Sequence, residues 1–190
     1  MKALEEKILK EGKILGGDVL KVGSFLNQRI DVAFVMQMGE EIARLFQGEK
    51  ITKIFTIESS GIAIAFAAAT KMNVPVVFAK KNKSANVGDD VYTSRVHSFT
   101  HGNTYDAVVS KEFLSADDKV LIVDDFLARG NALRGLIDMV GQSGAELIGA
   151  AIAIEKGFQG GGDELREKGL RVESLALIDS MEEGKITFRN

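Results

Sequence analysis

The sequence predicts an α/β domain with a mainly parallel central sheet flanked by helices, and three observations carry that expectation. Short apolar, β-branched runs at 53–57, 76–79, 120–123, 146–154 and 172–177 are interleaved with segments of helical spacing, the order that builds βαβ units. Residues 120–123 are apolar without alternation, as expected of a strand covered on both faces of a parallel sheet. Two of the runs lead through a turn of small or polar residues straight into a helix, Glu58-Ser59-Ser60-Gly61 and Ala128-Arg129-Gly130-Asn131-Ala132. Such a turn aims backbone N–H groups from a helix N-terminus at the carboxyl edge of the sheet.

In chain order, Leu4, Ile8 and Leu9 give residues 2–11 one apolar face, a short amphipathic helix ended at Gly12. Two extended pieces are expected at 19–22 and 24–26. From Asp31 to Phe46 the positions Val32, Val35, Met36, Ile42 and Leu45 mostly keep helical spacing, with Gly48 just beyond. The strand 53–57, the turn 58–61, an alanine-rich helix at 62–72 and the strand 76–79 form a βαβ unit, and Pro75 stands at a strand start, where it is tolerated. Residues 80–104 change character, with lysines, Gly88, aspartates and many hydroxyls but little apolar patterning; a mobile loop or a long hairpin is expected there. A strand can form at 105–110, and the strand 120–123, a helix at 130–144 and the strands 146–154 and 172–177 follow; the central sheet is expected to have five strands.

The 190 residues suit one domain, 1–190. With 24 basic and 27 acidic residues the net charge is -3, so nothing marks a dedicated nucleic-acid binder. The absence of cysteine excludes disulfides, zinc thiolate sites and thiol nucleophiles. The charged start MKALEEKILKEGK lacks the apolar core of a signal peptide, and the apolar run 61–70 is too short to span a bilayer. A cytoplasmic protein with no membrane partner is the expectation.

The chemistry concentrates at Asp124 and Asp125, which follow the strand 120–123. Consecutive strand residues point to opposite faces, but a strand ending here lets both carboxylates turn toward one ligand and accept from its hydroxyls. The following turn, Ala128, Arg129, Gly130, Asn131 and Ala132, offers an anion hole, with Gly130 free to take positive φ. Acids beside an anion hole suit a phosphorylated sugar; the plainer reading, an aspartate N-cap, needs only one acid. Ser59, Ser60 and Gly61 repeat the strand-turn-helix geometry on a neighbouring strand, as a second anion site or as ordinary caps. Lys80, Lys81 and Lys83 follow another strand at the same edge and would capture a polyanion, or form a solvated face. His97 and His101 read as structural or surface residues.

VLIVDDFLARGNA resembles the phosphoribosyl-pyrophosphate signature of the type I phosphoribosyltransferases. The likeness extends to GGDVLKVGSFLNQRID, IESSG, KKNKSANVGDDVYTSRVHSFTHG and AIAIEKGFQGG, essentially the whole chain. It implies the fold of that family, with a core of about 31–154 under a small hood of about 1–30 plus 155–190. It also implies transfer of the 5-phosphoribosyl group from phosphoribosyl pyrophosphate to xanthine, giving xanthosine 5′-monophosphate and pyrophosphate in purine salvage. Asp124 and Asp125 would hold the ribose hydroxyls, 128–132 the 5′-phosphate, and Ser59, Ser60, Gly61 and Lys81 the pyrophosphate. Leu20, Asn27 and Lys156 would contact the base. Magnesium would travel on the pyrophosphate rather than in a protein cage, residues 84–104 would close over the site, and the protein would be a homodimer. One departure is visible: the family loop carries hydroxyl residues where this chain has Arg129 and Ala132, so backbone donors and Asn131 would take their place. Arg129 would help there or face solvent or a partner subunit.

Lys156 follows the run 150–154, and its ammonium can donate to the carbonyl oxygens of an oxopurine while opposing adenine's amine donor to donor. Phe158 would stack on the ring or pack beneath the Gly160-Gly161-Gly162 loop. Guanine or hypoxanthine stays open as acceptor, because each shares the oxygen at position 6. A non-catalytic regulator that senses phosphoribosyl pyrophosphate stays open too, since fold alone does not settle activity.

Overall fold

A computed structural model describes residues 1–16, 18–82, 90–97, 104–181 and 184–189. The chain opens with α1 (Lys2–Glu11), whose Leu4 and Ile8 are fully buried, and a small antiparallel pair, β1 (Lys13–Ile14) and β2 (Leu20–Lys21). Residues 24–26, expected extended, instead lie in a wide π-type turn at Gly23–Asn27. The reason is burial: Phe25 and Leu26 are adjacent and both inaccessible, and a strand would send one of them outward.

The helix α2 (Val32–Leu45) is capped by Asp31, whose carboxylate accepts from the Phe34 amide at 3.2 Å. Then come β3 (Lys53–Ile57), α3 (Ser60–Met72), β4 (Val76–Ala79), and a hairpin of β5 (Val91–His97) and β6 (Thr104–Ser110). The hairpin answers the open choice for this region as far as it is described; Lys83, His101 and most of 84–104 lie outside the described residues. The chain continues with β7 (Lys119–Leu127), α4 (Asn131–Ser143), β8 (Glu146–Lys156), α5 (Gly161–Glu167), β9 (Val172–Ser180) and β10 (Thr187–Phe188). Gly130 (φ 83) and Gly144 (φ 75) bracket α4 in the left-handed region that glycine enters without penalty.

The central sheet has six strands in the order β10-β9-β8-β7-β3-β4, five of them parallel and β10 an antiparallel edge. The sixth strand is an addition to the expected five, and the tri-glycine segment read as a loop belongs in part to α5. Of the segment 155–190 assigned by sequence to the hood, β9 is a strand of the central sheet. Alternation along the strands fills both faces. Ile54, Leu121, Val123, Ala151 and Ala153 pack with α2 and α3 through Ile42, Ile64 and Ala68. Phe55, Val120, Ile122, Ala150 and Ile152 pack with α4 through Leu136 and Met139, and with the hairpin through Val96 and Val109. Each large side chain so buried contributes roughly 1.5–3 kcal/mol relative to exposure. Among the described residues no helix is long and apolar enough to cross a membrane.

Candidate active site

β3 stops at Ile57 and pairs with β7 only as far as Ile122, whereas β7 runs on to Leu127 with β8 alone beside it. The chain connections also reverse direction here: β4 lies on one side of β3, while β8 and β9 follow β7 on the other. A crevice therefore opens at the carboxyl ends of β3 and β7, the place where open parallel sheets bind ligands. Its walls are 57–61, Lys81, Val96, His97 and Tyr105 from the hairpin, and the continuous stretch 124–133.

The expectation that the strand ends at the aspartates is corrected, since β7 continues three residues beyond Asp124 to Leu127. With no β3 partner past Ile122, that extension is free to carry polar side chains into the crevice. The carboxylates still share the cleft while diverging within it. Asp124 is 5% exposed, and its Oδ1 accepts from the Asp125 amide at 2.9 Å. Burial, reinforced by the neighbouring Asp125 charge, pushes its carboxyl well above the usual aspartate range, with Lys81 opposing. Asp125 faces the hood instead, where Asn27 Nδ2 donates to its Oδ2 at 3.1 Å. Tyr105 is raised in turn by burial and by Asp124.

Gly61 is the only residue type that fits beneath Asp124: an added Cβ would lie 2.3 Å from Thr56 Oγ1 and 2.9 Å from Asp124 Oδ1. Thr56 Oγ1 is buried there without a partner. Ser59 occupies the N-cap position of α3, makes no side-chain cap bond, and is one of the residues lining the cleft. The Glu58–Ser59 peptide is cis, and Glu58 Oε1 accepts from the Lys81 amide at 2.7 Å, tying the turn to the end of β4. The Lys81 ammonium stands 5.8 Å from the Tyr105 ring centroid. Gly130 supplies the positive φ expected of the 128–132 turn. Asn131 Nδ2 donates to the His97 carbonyl at 3.0 Å, joining the turn to the hairpin; His97, read as a structural or surface residue, is exposed and also lines the cleft.

A second cavity, about 510 Å³, adjoins the first beneath the hood, within the size range of small-molecule sites. Leu20, Asn27 and Lys156 line it, as do Asp18, Val19, Phe126 and Gln159. Lys156, the last residue of β8, donates to the Asp18 carbonyl, and its ammonium lies 5.6 Å from the Phe126 ring centroid. Burial lowers its pKa, with Asp18 opposing. Gln159 Nε2 donates to Asp18 Oδ2 at 2.8 Å. The aromatic facing this cavity is Phe126 rather than Phe158, which lies 38% exposed in the 3-10 turn Gly157–Gln159. Phe126 sits inside the signature motif, and reading the strand three residues further would have found it; Tyr105, Asp18 and Gln159 carried no sequence signal. Asp125, Phe126, Ala128 and Arg129 line both cavities, so the two meet at the end of β7.

Paired carboxylates beside two helix-opening turns form a donor set suited to a phosphorylated sugar. The model of the phosphoribosyl transferase domain family matches residues 26–179. The chain belongs to the phosphoribosyltransferase family. It is 56% identical to the xanthine phosphoribosyltransferase of Heliobacterium modesticaldum over 188 residues, 99% of this chain and 100% of the relative. It is 54% identical to xanthine phosphoribosyltransferase 1 of Clostridium perfringens (strain 13) over the full length of both. Among solved structures, adenine phosphoribosyltransferase of Giardia lamblia in complex with 9-deazaadenine superposes with TM-score 0.76 at 20% identity, covering 92% of this chain and 96% of that one. The adenine enzyme of Thermoanaerobacter pseudethanolicus gives 0.74 at 20% identity over 92% and 98%. These structures share the fold.

Proposed function

We propose that this protein is a pentosyltransferase of purine salvage that moves the 5-phosphoribosyl group from phosphoribosyl pyrophosphate to xanthine, releasing pyrophosphate. The observation that carries this reading is the junction of the two cavities at Asp125 and Phe126: both helix-opening turns, Asp124 and Lys81 line one cavity, and Leu20, Asn27 and Lys156 line the other. A sugar placed at the junction has its anomeric carbon between donor and acceptor.

In this reading the 128–132 turn holds the 5′-phosphate through backbone N–H groups, and Asp124 and Asp125 accept from the ribose hydroxyls. The 59–61 turn and Lys81 hold the pyrophosphate. The carboxylates favour the positive charge that develops at the anomeric carbon as the bond to pyrophosphate breaks, and fixed geometry supplies the rest of the rate. The purine nitrogen then attacks from the opposite face. Lys156 donates to a base carbonyl and the Asn27 amide offers both a donor and an acceptor, with Leu20 and Phe126 against the ring. Magnesium carried on the pyrophosphate would supply neutralisation of the leaving group's charge, and Glu58, Ser59 and Ser60, which line the cleft, would offer it the oxygen ligands a hard cation prefers. Among the described residues no cluster of three or more His, Cys, Asp or Glu could hold a metal alone.

We place the enzyme in the cytoplasm as a homodimer. Support for the dimer is the apolar groove between α2 and α3, where Ile30, Val32 and Phe66 are 49%, 69% and 64% exposed beside Ser59 of the pyrophosphate turn. Steady-state kinetics with phosphoribosyl pyrophosphate and xanthine, guanine, hypoxanthine or adenine test the proposal. Xanthine is expected to give the highest kcat/KM and adenine the lowest. Preference for guanine or hypoxanthine would reassign the acceptor, and no nucleotide from any base would point to a regulator.

A further inference from the structure

Outside the residues assigned to the site, a buried ionic assembly sits behind the phosphate turn. Glu155 is fully inaccessible, immediately precedes Lys156, and pairs across the sheet with Leu127, the residue before the turn. Arg166 of α5 clasps it with both terminal nitrogens, at 2.8 and 2.6 Å, and Ser174 donates to the same carboxylate. Separating the two partners of such a buried, bidentate pair would leave a charged group in the interior without its counter-ion, so α5 is pinned to β8. The other end of α5 meets the turn directly. A Cβ on Gly161 would lie 2.4 Å from the Ala128 carbonyl oxygen and 2.7 Å from the Gly130 nitrogen, so the two backbones touch. A second tie runs beside it: Arg134 donates to the Arg129 carbonyl at 2.5 Å and pairs with Glu164 of α5.

We propose that α5 is a strut that sets the position of the 128–132 turn relative to Lys156, with Gly161 as its contact point, the Glu155–Arg166 pair as its anchor and the Glu164–Arg134 pair as its brace. None of these side chains touches substrate; they are positioning residues, and their role rests on the reading of 128–132 as the phosphate turn. The consequence is that donor and acceptor subsites keep their spacing through one short helix rather than through the turn's own residues. That suits a phosphate turn in which Ala128, Gly130 and Ala132 carry no polar side chain. Displacing a substrate-positioning group by on the order of 1 Å costs about 100-fold in rate, so a methyl forced between α5 and the turn is read directly in catalysis.

The test compares Gly161→Ala, Glu164→Gln and the solvent-facing control Glu167→Ala in the full chain. Calorimetric titration with phosphoribosyl pyrophosphate and steady-state kinetics are read alongside thermal melting. Gly161→Ala is expected to weaken phosphoribosyl-pyrophosphate binding roughly tenfold or more, with the KM for xanthine changed less than twofold, and the control unchanged. Glu164→Gln, an exposed and isosteric change that folds whether or not Gly161→Ala does, is expected to show a smaller loss in the same direction. Equal losses for both substrates, or donor binding unchanged in Glu164→Gln, overturn the strut. Wild-type protein that binds no phosphoribosyl pyrophosphate would instead overturn the site reading on which the strut rests.

Discussion

Asp124 combines two properties that pull against each other. It is buried beside a second carboxylate, which raises its pKa, yet the proposed role requires it to accept from a ribose hydroxyl. A carboxyl whose folded-state pKa lies above its unfolded value costs stability as pH rises through the folded value, and costs nothing below the ordinary aspartate range of about 4. Asp124→Asn should therefore melt higher than wild type at neutral pH, with the difference vanishing as the buffer is taken to pH 4; a lower melting temperature at neutral pH would contradict the placement. Changing both Asp124 and Asp125 to Asn should cost at least ~100-fold in turnover with the fold retained, and near-normal turnover would remove them from the site. Both acids were legible in the sequence because charged pairs seldom follow an apolar strand without a purpose. Their divergence was not, since it depends on where β3 stops, which no local pattern in β7 records.

At the scale of the element, the turn between β3 and α3 depends on a glycine. Gly61→Ala puts a methyl against Thr56 Oγ1 and Asp124 Oδ1, and overpacking of this kind costs about 1–3 kcal/mol. The variant should lose melting temperature and activity together, and Thr56→Ala combined with it should recover part of the stability; additive losses in the double variant would show that the clash lies elsewhere. Strand and helix boundaries in the sheet were readable because apolar runs and glycine stops coincide there. The exceptions share a cause. The turn at 23–27 is decided by the burial of Phe25 and Leu26 under the hood, β7's extra length by its pairing with β8, and α5 by its ion pair to Glu155. Each is a long-range effect, and long-range partners override local propensity.

For the whole molecule, the groove at Ile30, Val32 and Phe66 would link the proposed dimer to the site, because Ser59 lines both the groove and the cleft. Phe66→Glu should convert a dimer into a monomer in size-exclusion with light scattering, since a charge is costly in a closed apolar interface; an unchanged dimer would place the interface on another face. The same view shows how the site is assembled. Asn27 and Asp125, bonded across the cleft, are 98 residues apart in sequence, and the Lys119 amide donates to Thr52 across 67. The walls come from several separate stretches, so no one of them holds the whole site. Contacts between such distant stretches bear a high loop-closure cost and form slowly. Ligand-binding competence is thus one of the last things a refolding chain acquires, and recovered catalysis reports completion of the central sheet rather than collapse of its parts.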